Sequence, residues 1–282
     1  MSHPAIEAGR AAVITGAASG IGLAAAKRFA ALGLDVVMAD LSEDKLDVAA
    51  AEVSAAGGSG AVHAVQTDVS HLEDVRRLHD EATSAFDVAV LMNNAAIDPV
   101  GKPWGAHVLE NRRAWERLLA VNLWGVINGV EVFAPTMAAS GRPGLIINTG
   151  SKQGITTPPG NAAYNVSKAA VKAFTEATAH ELRNTPGCHA SAHLLIPGFT
   201  YTGLTKANEK PAAAWTAEQV VDFMLESLER GDFYILCPDN DVARATDEKR
   251  MLWAMGDIVE NRPALSRWHP DYKEAFERFM KG

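Results

Sequence analysis

Apolar and polar positions alternate along this 282-residue chain in a repeating order. Short apolar runs, typical of buried strands, are each followed by a longer stretch with helical periodicity. The alternation predicts an α/β fold, a single-domain doubly wound parallel sheet of about seven strands. The predicted strands cover residues 11–15, 34–39, 61–66, 88–92, 145–147, 189–196 and 233–237.

The pattern divides the chain at about residue 240. Residues 1–240 hold the predicted sheet, and residues 241–282 are predicted to form a helical C-terminal extension, with helices at 242–259 and 272–280. The extension contains Trp253, Trp268, Phe276 and Phe279, so it is too apolar to stay free in solvent. We expect it to pack on the same domain or on a neighbouring subunit.

A glycine-rich turn joins the first predicted strand to the first predicted helix. Residues 16–22 read Gly-Ala-Ala-Ser-Gly-Ile-Gly. Gly16 permits a tight turn, Gly20 lets the backbone approach a pyrophosphate, and Gly22 lets helix and strand pack closely. The helix amino terminus supplies amide donors to phosphates. Strand, turn and helix together predict a dinucleotide site in a Rossmann-like sheet.

Acidic residues follow the second and third predicted strands. Asp40 can accept hydrogen bonds from the adenosine ribose and would repel a 2′-phosphate, so NAD is favoured over NADP as cofactor. The alternative is that Asp40 caps the next helix, although Ser42 is placed to do so. Asp68 either faces the adenine or caps the helix that follows it, and the pattern leaves both roles open.

A serine, a tyrosine and a lysine are candidates for proton transfer. Ser151 ends a buried strand, Tyr164 begins a helix, and Lys168 shares the helix face of Tyr164 because the two are four residues apart. A cation about 4 Å from a phenol is worth roughly 4 kcal/mol at an effective dielectric near 20. We therefore expect Lys168 to lower the pKa of Tyr164 towards neutral pH, where a phenolate can act as general base for an alcohol.

These motifs together resemble the short-chain dehydrogenase/reductase family, in its compact form with three residues between the first two fingerprint glycines. The chain departs from the family at Ala96, where the family usually has glycine. The resemblance covers about residues 8–240 and rests on Thr15-Gly16-xxx-Gly20-Ile21-Gly22, Asn93-Asn94-Ala95, Asn122, Ser151, Tyr164-xxx-Lys168 and Pro197-Gly198.

The resemblance implies a role for each site residue. Asn122, Ser151, Tyr164 and Lys168 would form a catalytic tetrad in which Tyr164 exchanges the alcohol proton and Ser151 holds the substrate oxygen. Lys168 would also bind the nicotinamide ribose. Asn122 is either a structural bridge to the backbone, as its apolar surroundings suggest, or part of a water-linked proton path. NAD would contact Gly16, Ser19, Gly20, Ile21, Gly22, Asp40, Leu41, Asp68, Val69, Asn94, Ala95, Ala96, Tyr164, Lys168, Pro197, Gly198, Thr200 and Thr202.

The predicted reaction is hydride transfer between nicotinamide and a secondary alcohol or ketone, with a small to medium, largely apolar substrate. Residues 203–215 have loop composition and are expected to close over the substrate. The predicted substrate contacts are Trp104, Ser151, Gln153, Ile155, Asn161, Tyr164 and Phe199.

Two other functions fit the same residues less well. One is an NAD-sensing regulatory protein without turnover, which the intact Ser151, Tyr164 and Lys168 disfavour. The other is an epimerase or dehydratase, which the compact glycine spacing disfavours.

Charge and composition restrict the partners. The net charge of −8 argues against binding to nucleic acid or anionic membranes. The sequence shows no export signal, and its apolar runs predict no transmembrane helix. With two cysteines and no disulfide framework, the cytoplasm is the expected location. Histidine spacing predicts no metal site, and the family resemblance implies a homodimer or homotetramer.

Overall fold

One parallel sheet of seven strands organises the described part of the protein. The computed structural model describes residues 3–98, 112–205 and 209–282. The strands are β1 (Ala11–Thr15), β2 (Asp35–Asp40), β3 (Val62–Gln66), β4 (Val88–Asn93), β5 (Gly144–Thr149), β6 (Ala190–Ile196) and β7 (Tyr234–Leu236). Their order in the sheet is β3-β2-β1-β4-β5-β6-β7, and all pairs are parallel. The predicted doubly wound Rossmann-like sheet is confirmed.

Helices cover both faces of the sheet, because each crossover between parallel strands carries one. Phe29, Leu46 and Met224 belong to one core cluster, and Leu78 and Phe133 belong to a second. The described helices are α1 (Gly20–Ala31), α2 (Glu43–Ala55), α3 (Leu72–Ala85), α4 (Arg112–Leu119), α5 (Gly125–Ala139), α6 (Gln153–Thr156), α7 (Ala162–Asn184), α8 (Ala217–Glu229), α9 (Arg244–Val259) and α10 (Lys273–Lys281).

The strand order reverses between β1 and β4, which places the site. From β1 the chain moves outward to β2 and β3, then returns to the other side of β1 at β4. A crevice opens at such a switch point, at the carboxyl ends of the strands. The residues after β1, β2, β4, β5 and β6 therefore converge on one edge of the sheet.

A π turn over Ala120–Trp124 joins α4 to α5 in one helical stretch. The sequence predicts an unbroken helix over 110–139, of which residues 110 and 111 lie outside the described residues. By length and composition, Arg112–Ala139 meets the criteria for a membrane-spanning helix, a test that the core helix of a globular protein also passes. Within it, α5 packs on β4 and β5 and buries Phe133 and Met137, as a core helix does.

The C-terminal extension contacts the domain of its own subunit through α9 and α6. Trp253 on α9 is only 5% exposed and packs against Phe276 and Phe279 of α10, with ring centroids 5.3 Å away in both cases. Its Nε1 donates a hydrogen bond of 2.8 Å to Ser266 Oγ. The contact with α6 fits packing on the same domain. The choice between that arrangement and a neighbouring subunit stays a prediction, as does the boundary at residue 240.

Candidate active site

A cavity of about 740 Å³ lies at the carboxyl ends of the strands, within the size range of small-molecule sites. It extends from Asp40, the last residue of β2, to Phe199 in the turn after β6. Of the residues predicted for the cofactor, the catalytic group and the substrate, its wall contains Gly16, Ser19, Gly20, Ile21, Asp40, Leu41, Asp68, Val69, Asn94, Ala95, Ala96, Ser151, Gln153, Asn161, Tyr164, Lys168, Pro197, Gly198, Phe199, Thr200 and Thr202.

The backbone of the glycine turn is packed so closely that side chains do not fit at its key glycine positions. Gly16 and Gly20 have φ angles of 67° and 56°, a region that favours glycine. A Cβ on Gly16 would lie 2.7 Å from Ala95 Cα, and a Cβ on Gly22 would overlap the carbonyl oxygen of Gly16. The close approach of Gly22 to Gly16 agrees with the predicted packing of helix against strand. Gly22 is not part of the cavity wall, and its contact with the cofactor stays a prediction.

The amino terminus of α1 is ready to receive an anion. α1 begins at Gly20, and the extended N-cap residue Ser19 makes no side-chain capping bond within the described residues. The first turn of α1 also carries no acidic residue. Unpaired amides and the positive end of the helix dipole therefore face the cavity. This end of the cavity fits a pyrophosphate.

Asp40 is held beside the glycine turn. Its Oδ2 accepts a hydrogen bond of 3.1 Å from the backbone amide of Ala18. Ser42, and not Asp40, is the N-cap residue of α2, although the Ser42 side chain makes no capping bond to any described residue. Lys45, exposed on α2, also lines this end of the cavity. The prediction of NAD over NADP rested on Asp40 and did not take Lys45 into account.

Asp68 organises the turn that precedes α3. Its Oδ1 accepts hydrogen bonds from Ser70 N at 2.9 Å and Ser70 Oγ at 2.6 Å, and its Oδ2 lies 3.4 Å from His71 Nδ1. The N-cap residue of α3 is His71, so Asp68 is not the cap. Asp68 lines the cavity as well.

Asn94 lines the cavity but uses its polar groups to brace the glycine turn. Its Nδ2 donates to the carbonyl oxygens of Thr15 at 3.3 Å and Gly16 at 3.4 Å, and its backbone amide donates to Thr15 Oγ1 at 3.0 Å. Thr149 Oγ1 donates to Asn94 Oδ1 at 3.4 Å. β1, β4 and β5 are thereby joined at the floor of the site.

Ser151 and Tyr164 meet across the cavity. Asn161 caps α7 by accepting the Tyr164 amide at 3.3 Å, which fixes the start of the helix that carries Tyr164. Hydrogen bonding from the Ser151 side chain acts to lower the pKa of Tyr164. Ser151 Oγ also accepts the Gln153 amide at 3.2 Å. The serine and the tyrosine, although in separate elements, therefore line the same part of the cavity.

Lys168 lies under this pair. It is 2% exposed, its Nζ donates to the Thr149 carbonyl at 2.7 Å, and Nζ lies 5.7 Å from the centroid of the Tyr164 ring. The predicted neighbourhood of tyrosine and lysine is therefore present. The ammonium bonds to a carbonyl rather than directly to the phenol oxygen.

Burial dominates the proton affinities of both groups. It raises the pKa of Tyr164 to about 12, against the hydrogen bond from Ser151, with a smaller contribution from the charge of Asp98. It also lowers the pKa of Lys168 to about 8. The expectation that Lys168 lowers the pKa of Tyr164 towards neutral pH is therefore wrong for the protein alone. Removing the phenolate from water outweighs a cation that is not in direct contact.

Asn122 is fully buried in the π turn, outside the cavity wall. Its Oδ1 accepts the Ile97 amide and its Nδ2 donates to the Ile97 carbonyl, both at 2.8 Å. The side chain is a bridge to the backbone after β4, which is the structural alternative. The water-linked proton path stays a prediction.

The substrate end of the cavity departs in part from the prediction. Ile155 packs instead with Val171, Leu194 and Ile196 in a small core cluster. Trp104 lies outside the described residues. Gly203, Leu204 and Thr205 line the cavity, while residues 206–208 of the predicted covering loop are outside the described chain.

Two charged residues in the wall were missed by sequence reasoning. Asp98 accepts a hydrogen bond of 2.9 Å from Asn161 Nδ2, and Lys152 follows Ser151 directly. The partners Asp98 and Asn161 are 63 residues apart, so the local pattern contains no signal for their contact. In the described part of the chain, no group of three or more His, Cys, Asp or Glu side chains could hold a metal ion.

Residues 10–213 match the family model described as short chain dehydrogenase. The chain belongs to the short-chain dehydrogenase family. It is 35% identical over 266 residues to the 1-deoxy-11-beta-hydroxypentalenate dehydrogenase of Streptomyces exfoliatus, covering 92% of this chain and 94% of that protein. The resemblance inferred from the motifs is confirmed, and the protein is an oxidoreductase of this family.

Solved structures of short-chain dehydrogenases share the fold. One from Burkholderia phymatum, in complex with NAD, has a TM-score of 0.80 and 31% identity, covering 93% of this chain and 97% of that one. A metagenomic short-chain oxidoreductase in complex with NADP has a TM-score of 0.67 and 28% identity, and the match covers 82% of this chain and 98% of that one. The glycine turn, the α1 amino terminus and the continuous cavity of this chain fit a nicotinamide dinucleotide.

Proposed function

We propose that this protein is an NAD-dependent dehydrogenase that transfers a hydride between nicotinamide and a secondary alcohol or ketone. The proposal rests on Ser151 and Tyr164 in the wall of one cavity, with the buried Lys168 ammonium 5.7 Å from the centroid of the Tyr164 ring. The three groups face the same cavity as the glycine turn and Asp40. A site for the dinucleotide and a proton-transfer group therefore share one enclosed space.

Each catalytic side chain has one proposed task. When bound, NAD supplies the hydride acceptor for alcohol oxidation, or NADH the donor for the reverse reaction. The Ser151 hydroxyl holds the substrate oxygen, and the Tyr164 hydroxyl takes or gives its proton. With a pKa of about 12, Tyr164 is protonated at neutral pH and suited to donate to a ketone. Oxidation needs the phenolate, which the buried ammonium of Lys168 favours.

Asp40 supports NAD over NADP. Its carboxylate is fixed at the turn by the Ala18 amide. A 2′-phosphate about 5 Å from it would be repelled by roughly 2 to 6 kcal/mol for dielectrics between 80 and 20. Exposed Lys45 would attract that phosphate, but an exposed ion pair is worth about 0 to 1 kcal/mol. The repulsion from Asp40 is larger, so NAD is preferred.

The walls beyond Ser151 support a largely apolar substrate with a polar group. Ile97, Val121 and Phe199 contribute apolar surface, and Asp98 and Gln153 contribute acceptors. Gln153 Oε1 is buried and has no hydrogen-bond partner within the described residues. A second hydroxyl on the substrate would satisfy such acceptors. The Streptomyces exfoliatus relative acts, by its name, on a hydroxylated compound, which supports an alcohol substrate.

We also propose that the subunits form a homodimer or homotetramer in the cytoplasm. Trp124 on the π turn and Val166 on α7 are 55% and 47% exposed, and these two elements are in contact. Large apolar side chains on adjacent helices are suited to a subunit interface. Light scattering on the purified protein tests the assembly, and a monomer at all concentrations would contradict it.

The test of function is formation of NADH or NADPH by the purified protein across a panel of secondary alcohols. We expect turnover with NAD, weaker turnover with NADP, and a preference for apolar alcohols with a second hydroxyl. Identically purified Tyr164→Phe protein reports any contaminating dehydrogenase. Tight NADH binding with no turnover on any alcohol or ketone would favour the alternative, a catalytically silent NAD-sensing protein on the same fold.

A further inference from the structure

Three charged side chains meet in a buried cluster next to Ser151. Lys152 Nζ donates a hydrogen bond of 3.3 Å to Asp239 Oδ2 and forms an ion pair of 2.5 Å with Asp247 Oδ2. The side chains of Lys152, Asp239 and Asp247 are 16%, 6% and 4% exposed. We call these three residues the Lys152 cluster.

The Lys152 cluster connects three parts of the chain that are distant in sequence. Lys152 directly follows Ser151 and begins α6 as its N-cap residue. Asp239 follows β7, and its Oδ2 also accepts the Phe199 amide at 3.2 Å, in the turn that follows β6. Asp247 lies in the first turn of α9. The serine turn, the turn at 197–199 and the C-terminal extension are thereby tied at one point.

The contacts are too tight for these parts to move independently. A Cβ on Gly198 would lie 2.8 Å from Lys152 Nζ and 2.9 Å from Asp239 Oδ2, so the turn at 197–199 rests directly on the pair. Asp239 Oδ1 accepts the amides of Asp241 at 3.2 Å and Val242 at 2.8 Å. The start of the extension is fixed by the same carboxylate.

Stability alone is a weak reason for this arrangement. A buried ion pair gains little net stability, because desolvation offsets the attraction. The other charges around Asp247 are Arg250, whose Nη1 lies 4.0 Å from Asp247 Oδ1, and Arg267. What the cluster provides is defined geometry at Lys152, one residue from the proposed catalytic serine.

We propose that Lys152, Asp239 and Asp247 are positioning residues, which hold the Ser151 hydroxyl and the turn at 197–199 in place for catalysis. The C-terminal extension is then a working part of the active site, through Asp247. This inference rests on the proposed dehydrogenase function. Small misplacements at a reacting centre are costly, about 100-fold for 1 Å.

The test compares Lys152→Met, Asp247→Asn and the double variant by kcat, KM and the Kd for NADH, at a temperature where all are folded. We expect each single change to lower kcat about tenfold, and the double variant to lose no more than Lys152→Met, because the pair acts as a unit. Lys152→Met also raises the Kd for NADH about fivefold, since Asp239 and the 197–199 turn lose their cation. Asp247→Asn leaves that Kd within about twofold, because the Lys152–Asp239 bond remains.

A matched control is the exposed pair Arg244 and Glu248 on the same helix, changed to Met and Leu, which should alter none of these quantities. A lower melting temperature with unchanged kcat and unchanged NADH affinity in Lys152→Met would overturn the inference. If the wild type binds NADH but turns over no substrate, the proposed function fails instead. NADH binding then decides the inference, and an unchanged Kd in Lys152→Met contradicts it.

Discussion

Backbone forms one end of the cavity, and buried side chains form the other. At the glycine turn, backbone and the absence of side chains shape the site, as Gly16 and Gly22 show. At the catalytic end, buried side chains from distant segments shape it, as Lys152 and Asp239, 87 residues apart, show. The first end tolerates no added atoms, whereas the second depends on charges and hydrogen bonds being present. Substitutions should therefore affect mainly cofactor binding at the first end and mainly turnover at the second.

The largest effect is expected at the catalytic end. Ser151→Ala removes the hydroxyl that holds the substrate oxygen and should lower kcat by about 100- to 1,000-fold, as for other lost polar donors at a reacting oxygen. The Kd for NADH should stay within about twofold. Ser84→Ala, on the exposed surface of α3, is the matched control. An equal loss of NADH binding would show that the two ends are not separable.

A smaller effect, on binding, is expected at the glycine turn. Gly22→Ala places a methyl group against the Gly16 carbonyl and forces the turn to shift. Overpacking of this kind costs about 1 to 3 kcal/mol, so the Kd for NADH should rise about 5- to 150-fold. Ala31→Val adds more atoms at an exposed position of the same helix and should change nothing. Unchanged NADH affinity in Gly22→Ala would contradict the claim that the cofactor site needs a glycine at position 22.

Asp40→Ala should shift the choice between NAD and NADP by about tenfold or more, because the carboxylate no longer repels a 2′-phosphate. The ratio of kcat/KM for the two cofactors measures this. Asp44→Ala, an exposed acid in the first turn of α2, is the control for loss of charge alone. Lys45→Met should weaken use of NADP by less than about threefold. A ratio that Asp40→Ala leaves unchanged would refute the role of Asp40.

The smallest effect concerns Lys168 and pH. Its pKa falls from 10.5 to about 8 on folding, so the unfolded chain binds more protons between these values. The stability of the wild type relative to Lys168→Met should therefore rise with pH above 8, by at most about 1.4 kcal/mol per pH unit, and level off above 10.5. Taking the difference between the two proteins cancels groups such as Cys237, whose pKa is raised by burial. A flat or falling difference would contradict the burial of a charged lysine.

The same contrast explains what the sequence could predict. Gly16, Gly20 and Asp40 lie near one another in the chain and in space, so local spacing was enough to place them. Ser151, Tyr164 and Lys168 were found because helix geometry and strand ends are local features. The contacts of Asp98 with Asn161, and of Lys152 with Asp247, arise only when distant elements pack.

The prediction for the pKa of Tyr164 was wrong for a related reason. The sequence shows that Lys168 is near, but it does not show how completely the phenol is removed from water. Ile155 is a similar case, because its position one turn after Ser151 fits both a pocket wall and the core cluster it joins. Burial is a property of the whole fold, and it decided both outcomes.

Tyr164 is proposed above all to transfer the proton, and its predicted contact with NAD is expected to add little to cofactor affinity. The direct measurement is NADH affinity and turnover on one preparation of Tyr164→Phe, with Tyr234→Phe, an exposed tyrosine bonded to Glu176, as control. We predict that Tyr164→Phe binds NADH within about twofold of the wild type and loses about 1,000-fold in kcat, while Tyr234→Phe keeps both. Near-normal turnover by Tyr164→Phe would contradict the account.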